Sequence, residues 1–182
     1  FLRIGMMNPK NLMPISNEML RLYKDERIFK FLHIPVQSGS NKILKLMNRQ
    51  YEKEDFIDIV EKFRRHFREL NLWTDIIVGY PNETEEDFEE TLKLIEMVEP
   101  DKVNISKFSV HKITPSSKMK QVATRIKSER SKKLYKLCKE IAKKRNLLWI
   151  GWEGEVLLDN FIKGKDLIGR NYAFKPIIIE NS

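Results

Sequence analysis

The chain has 182 residues, 41% of them hydrophobic and 33% charged, with a net charge of +8. That length and balance suit one large or two small soluble domains, and no apolar run approaches membrane-spanning length. A single cysteine, Cys138, excludes an internal disulfide and any thiolate cluster built by this chain alone; nothing points to secretion, so a reducing cytoplasm is expected.

In chain order, the opening FLRIGMMNP reads as a strand over residues 2–7 without an initiator Met or signal-peptide core, which predicts a segment of a longer chain. Pro14 and Ser16 open a helix with Met19, Leu20 and Tyr23 on its apolar side. Residues 29–36 predict a second strand, Gln37-Ser38-Gly39-Ser40 a turn, and residues 41–47 a short helix. A longer helix over 53–70 places Phe56, Ile59, Val60, Phe63 and Phe67 on one buried stripe. The β-branched run Ile76-Ile77-Val78 then ends at Gly79-Tyr80-Pro81. A helix follows, capped by Asn82 or Thr84 with Glu85, Glu86 and Asp87 in its first turn. Alternation puts Trp73, Asp75, Ile77 and Gly79 on one face of that strand. After Pro100, residues 103–110 predict another strand, ending in His111 and the loop ITPSSKM. Residues 128–146 form a basic helix with Leu134, Leu137, Cys138 and Ile141 inward.

About four strands alternating with helices imply a parallel α/β sheet, buried on both faces, in a barrel or doubly wound arrangement over residues 1–146. Residues 147–182 change texture: β-branched runs around a Lys163-Gly164-Lys165 turn predict a small antiparallel domain. It is too short to bury an adequate core alone, so it either docks on the first domain or continues past Ser182, which is the reading we expect. High Lys and Glu with few Gln also fits a thermophile.

Asp75 and Gln37 fall at the carboxyl ends of neighbouring strands, where α/β enzymes bind ligands. His33 alone is more often a satisfied core histidine; His66 sits on an exposed helix face, and His111 suits structure or substrate equally. The acids Glu83, Glu85, Glu86 and Asp87 are better explained by capping and the helix dipole than by a metal. No nucleophilic triad is present. Residues 102–145 hold 15 Lys and Arg against 2 acids, a net +13 beside +8 for the whole chain. The remainder is therefore acidic, and the basic block, with Lys132, Lys133 and Lys136 on its helix, favours a polyanion partner. In the tail, Lys163, Lys165, Arg170 and Lys175 interleave with Phe161, Tyr172 and Phe174, a pattern for phosphate contact and base stacking; an ordinary hairpin surface is the plain alternative.

The strings FLHIPVQSGSNKILKLMNRQY and TDIIVGYPNETEEDF, followed by a strand leading into ITPSSKM, resemble radical-SAM methylthiotransferases that modify tRNA. The resemblance covers essentially the whole chain. It implies the later strands of an incomplete, TIM-like βα barrel followed by the start of an RNA-binding TRAM domain of OB-like type. It also implies S-adenosylmethionine at the strand ends, bordered by Gln37, Asp75, Ile77, Gly79 and Ser109, and tRNA as partner. IIVGYPNE matches the family's GxIxGxxE pattern at Ile77 and Gly79, with Asp75 in place of the first glycine and Glu83 one position late. Two [4Fe–4S] clusters are implied, one generating the radical and one supplying sulfur. Their cysteines are absent here, so this segment alone is expected to be inactive. The nearest branch methylthiolates threonylcarbamoyladenosine beside the anticodon; an isopentenyladenosine or ribosomal-protein substrate is the alternative within the family. Outside it stand a non-catalytic RNA-binding protein and a TIM-barrel enzyme without iron.

Overall fold

A computed structural model describes residues 1–111, 113–161 and 167–179 of the chain. Three strands, β1 (Phe31–His33), β2 (Asn71–Val78) and β3 (Lys102–Lys107), form a parallel sheet in that order. Two short helices, α1 (Pro9–Leu12) and α2 (Ser16–Leu22), precede it, and α3 (Asn41–Leu46), α4 (Lys53–His66) and α5 (Glu85–Val98) fill the crossovers. The long α6 (Thr124–Leu147) leads to an antiparallel sheet of β4 (Leu157–Phe161), β5 (Leu167–Arg170) and β6 (Pro176–Ile179).

Local chemistry explains the boundaries. Asn8 accepts a hydrogen bond from the Lys10 N–H and Pro9 occupies the first helical position, so helix begins earlier than Pro14. The expected strand over 2–7 is instead a loose edge beside β1. Leu2 makes a parallel bridge to Ile28 and the Met7 N–H reaches the His33 carbonyl at 2.9 Å, with no ladder between. Thr84 rather than Asn82 caps α5: its hydroxyl accepts from the Asp87 N–H while the Asp87 carboxylate accepts from the Thr84 N–H, a capping box. At the other end Glu99 takes a left-handed φ of 46° before Pro100, and Arg64 donates to the carbonyls of Val98 and Glu99.

The core lies on one side of the sheet. Leu32, Ile34, Leu72, Ile76 and Val78 pack against Phe56, Ile59 and Phe63 of α4, Phe88 and Ile95 of α5 and Leu134 of α6. Along β2 the residues alternate: Thr74, Ile76 and Val78 are buried while Trp73, Asp75 and Ile77 are partly open. Both faces were expected to be buried. Among the described residues helices cover only one, because three strands curve through a fraction of a barrel and leave its inner face open.

The tail docks on the amino ends of the strands. Asn171 and Ala173 are fully buried there. The Lys30 N–H donates to the Tyr172 carbonyl at 2.8 Å, the Asn71 amide to the Ala173 carbonyl at 3.1 Å, and Lys175 pairs with Asp101 at 3.0 Å. Asp101 also accepts from the Leu72 N–H and from Arg145. Phe174 takes a φ of 57° that turns its ring between Phe29 and Phe31, 5.0 and 5.4 Å away, with the guanidinium of Arg3 at 5.1 Å. Truncating that ring is expected to cost about 2–3 kcal/mol. Urea unfolding of Phe174→Ala should show that loss and limited proteolysis should release the tail faster; a change within about 0.5 kcal/mol would identify an ordinary surface ring.

Candidate functional site

On the helix-free face, three strands contribute one polar row. His33 on β1 approaches Asp75 on β2 with Nε2 2.5 Å from Oδ2, and Asn104 on β3 donates its amide to Asp75 Oδ1 at 3.0 Å. Asp75 and Asn104 are register partners, so the pleat itself brings these side chains together. Side-chain exposures of 15% for His33 and 27% for Asp75 leave the row reachable from the open side. Below it, Phe31 and Trp73 meet edge to face at 5.1 Å and Lys102 lies 4.1 Å over the indole, closing that end with rings. His33 is thus no sealed core histidine. It bonds the carboxylate that faces the opening, and each carboxylate oxygen keeps a lone pair for a ligand.

At the carboxyl ends, the one-residue offset between the pairs His33–Trp73 and Gln37–Ile76 places a bulge around Pro35, where no ladder donor exists. The Thr74 hydroxyl fills the gap, accepting from the Val36 N–H and donating to the Ile34 carbonyl at 3.1 and 2.7 Å. Past the bulge Gln37 rejoins β2 through two backbone bonds and takes a φ of 73°. Its side-chain amide makes no hydrogen bond among the described residues, so it is free for a ligand. Ile77 stands partly open beside it, and Ser109 is exposed just beyond Phe108, whose N–H bonds the Val78 carbonyl. Gly79 departs from the expected same-face pattern. Its φ of 73° rotates the missing side chain towards the helical layer, where a Cβ would lie 2.4 Å from Lys127 of α6. What Gly79 can offer the open face is backbone, not a gap.

The acids after Gly79 hold these ends in place. Glu83 accepts the Gly79 N–H at 2.7 Å and pairs with Arg130 of α6 at 2.6 Å, with side chains only 2% and 7% exposed; Glu85 pairs with the same guanidinium. Burial pushes the Glu83 carboxyl up, against the pull of Gly79 and Arg130. Asp87 receives Ser40 at 2.8 Å, Lys42 at 2.6 Å and the Thr84 N–H at 2.9 Å. Burial raises its pKa, but the bonds from Lys42, Thr84 and Ser40 outweigh it and hold it at about 2. The turn before α3 sits directly on α5: a Cβ on Gly39 would lie 2.5 Å from the Thr91 Cα, and the Gly39 N–H bonds the Thr91 hydroxyl.

The expected RNA contacts divide. Lys132 and Lys136 are exposed on α6, whereas Lys133 turns over Phe88 of α5 at 5.8 Å. Arg170 pairs with Asp159 and lies 4.7 Å over Phe174. The readings of Phe174 as a free stacking ring and of Lys175 as a phosphate contact are corrected by the docking: the ring is wedged among aromatics and the ammonium is consumed by buried Asp101. Lys163 and Lys165 lie outside the described residues. Sequence reasoning missed Asn104, Arg130 and Tyr135. Register alone could have found Asn104 opposite Asp75; Arg130 looked like one more charge in a basic run.

A protein-family profile for the Radical SAM superfamily matches residues 6–95. A probable threonylcarbamoyladenosine tRNA methylthiotransferase of Pyrococcus horikoshii is 43% identical over 98% of this chain and 42% of its own length. The protein of that name from Archaeoglobus fulgidus is 39% identical over 99% of this chain and 42% of its own length. A tRNA-2-methylthio-N(6)-dimethylallyladenosine synthase of Caldicellulosiruptor saccharolyticus is 40% identical over 96% of this chain and 37% of its length. The chain therefore spans about two fifths of the curated relatives it matches. Coproporphyrinogen III oxidase from Escherichia coli, described as a radical SAM enzyme, shares the fold with a TM-score of 0.58 at 21% identity over 75% of this chain and 31% of that one.

The Asp87 network yields a pH test. A carboxyl at about 2 when folded and near 3.9 when unfolded contributes stability that is complete above about pH 4 and is lost as pH falls towards 2. Asp87→Asn should therefore cost about 2 kcal/mol in urea unfolding at pH 7, and the difference from wild type should shrink steadily between pH 4 and pH 2.

Proposed function

We infer what this chain does from a plain premise: it belongs to the radical SAM superfamily, and within it to the tRNA methylthiotransferase family. We propose that it supplies the carboxyl-terminal part of the barrel over residues 1–146 and the start of a TRAM domain over 147–182. The whole protein would add a methylthio group to the adenine ring of N6-threonylcarbamoyladenosine beside the anticodon, in the cytoplasm. The observation that carries this reading is the His33–Asp75–Asn104 row on the uncovered face beneath the strand ends. The names of the archaeal relatives favour threonylcarbamoyladenosine, and the bacterial ones keep dimethylallyladenosine as the second reading.

S-adenosylmethionine fits the residues at these strand ends, and there it would supply the radical and the methyl group. Asp75 complements a sulfonium or ammonium and accepts hydroxyls, Ile77 offers an apolar wall, and Gln37, Ser109 and the Gly79 backbone supply further polar contacts. The role of His33 and Asn104 is to fix the Asp75 carboxylate in one orientation, so that ligand binding need not order it. An iron–sulfur cluster does not fit. Cys138 is half buried on α6, burial pushes its thiol up to about 11, and one such thiol cannot complete a ligand set. We place the ligands of both clusters outside residues 1–182.

Mass spectrometry of tRNA nucleosides from cells with and without the full-length gene tests the reading: threonylcarbamoyladenosine should lose its methylthio group when the gene is removed. In the full-length enzyme Asp75→Asn should lower modification on the order of 100-fold with tRNA affinity unchanged. Alanine at Lys132 and Lys136 should instead weaken tRNA binding and make the slope of log affinity against log salt shallower by about two, while Lys133→Ala adds little.

A further inference from the structure

The helix α6 carries ten Lys and Arg against two acids over Thr124–Leu147, and most of its cations are already occupied. Arg130 and Arg145 are buried in ion pairs, and Lys127 lies against Phe108. Arg125 pairs with Glu129, Lys144 with Glu99, and Lys133 covers Phe88. What remains is Lys132, Lys136, Lys139 and Lys143, spaced by four, three and four residues. They share one face, are exposed, and among the described residues have no carboxylate partner. Successive members stand about 4.5–6 Å apart along the axis.

Tyr135 stands on that face with 65% of its surface exposed. Single exposed aromatics are commonplace. This one overlooks a groove of about 480 Å³ lined by Val103, Asn104, Ile105, Ser131, Lys132 and Tyr135, between α6 and the outer edge of β3. Among the described residues β3 pairs with β2 on one side and ends the sheet on the other, so the groove follows strand backbone with no ladder partner there. Its wall includes Asn104, whose amide holds Asp75 on the inner face. A ligand lying along the lysines and across the β3 edge would thus arrive beside the polar row.

We propose that this groove is a subsite for single-stranded RNA, in which an unpaired base stacks on Tyr135 while Lys132, Lys136, Lys139 and Lys143 hold the neighbouring phosphates. The proposal rests on the tRNA reading above and states which part of the RNA meets the barrel: a loop, not a stem. A duplex keeps its bases stacked and offers the lysines only phosphate, whereas a loop presents free ring faces to the tyrosine. An acidic polypeptide would match the charge but would leave the ring and the groove without a partner.

The test uses the full-length protein, an RNA hairpin with an anticodon-sized loop, and a continuous duplex of the same length. Tyr135→Leu, at an exposed helical position, should melt like wild type. It should weaken hairpin binding on the order of tenfold or more while leaving the duplex unchanged, and Tyr135→Trp should restore the hairpin affinity. A 2-aminopurine placed in the loop should be quenched by wild type and less so by the leucine variant. The proposal is overturned if Tyr135→Leu binds the hairpin as wild type does, if it loses hairpin and duplex equally, or if an acidic peptide displaces the hairpin equally well from wild type and leucine variant. Weak, salt-independent binding of both RNAs to the wild type would overturn the tRNA reading as well; salt-dependent binding without a Tyr135 effect would overturn the stacking subsite alone.

Discussion

Two buried carboxylates at the amino end of α5 fix the geometry of everything at the open ends of the strands. Glu83 takes the N–H that the left-handed turn at Gly79 leaves unpaired and presents its charge to Arg130, so β2, α5 and α6 meet at one group. Four residues on, Asp87 gathers Ser40, Lys42 and the cap of its own helix, bringing the preceding βα turn into the same frame. Leaving either carboxylate unpaired would strand a buried charge, which costs far more than an exposed salt bridge contributes. The helix dipole favours both acids at that end. A motif that reads as a possible metal cluster is therefore the mortar between three crossovers.

The two ends of the sheet divide the work. At the amino ends the tail plugs the barrel: Phe174 among its rings, Asn71 on the Ala173 carbonyl, and Asp101 shared by Lys175, Arg145 and a strand N–H. At the carboxyl ends polar side chains face an uncovered surface with partners that orient them without using them up. Packing density and ligand access thus make opposing demands in different places. The basic face of α6 runs alongside both.

Much of this was legible in the sequence wherever a local rule acted. The capping of α5, the turn at Gly39, the stripe of α4 and the parallel order of the strands all follow from residue type and spacing. The pairing of His33 with Asp75 was half legible: the polar positions were evident, but the register that joins them depends on strands 42 residues apart in sequence. Three readings failed for tertiary reasons. Continuous apolar runs suggested burial on both faces, yet a partial barrel exposes its interior. Gly79 was assigned a face by alternation, and positive φ breaks alternation. Phe174 and Lys175 had the composition of an RNA surface, and only docking against residues far away in the chain reveals them as internal contacts.

The bulge around Pro35 has an implication for how this stretch tolerates change in length. Because β1 gains one residue on β2 between His33 and Gln37, the side chains before and after it obey different alternation. Removing a single residue from 34–36 would restore a regular ladder and satisfy the backbone at least as well. It would keep Gln37 opposite Ile76, but it would close the gap that the Thr74 hydroxyl fills and leave that buried group without its present partners on Val36 and Ile34. Homologous chains should then vary here by substitution and hold the length constant. A shortened segment would pair well and strand a buried hydroxyl.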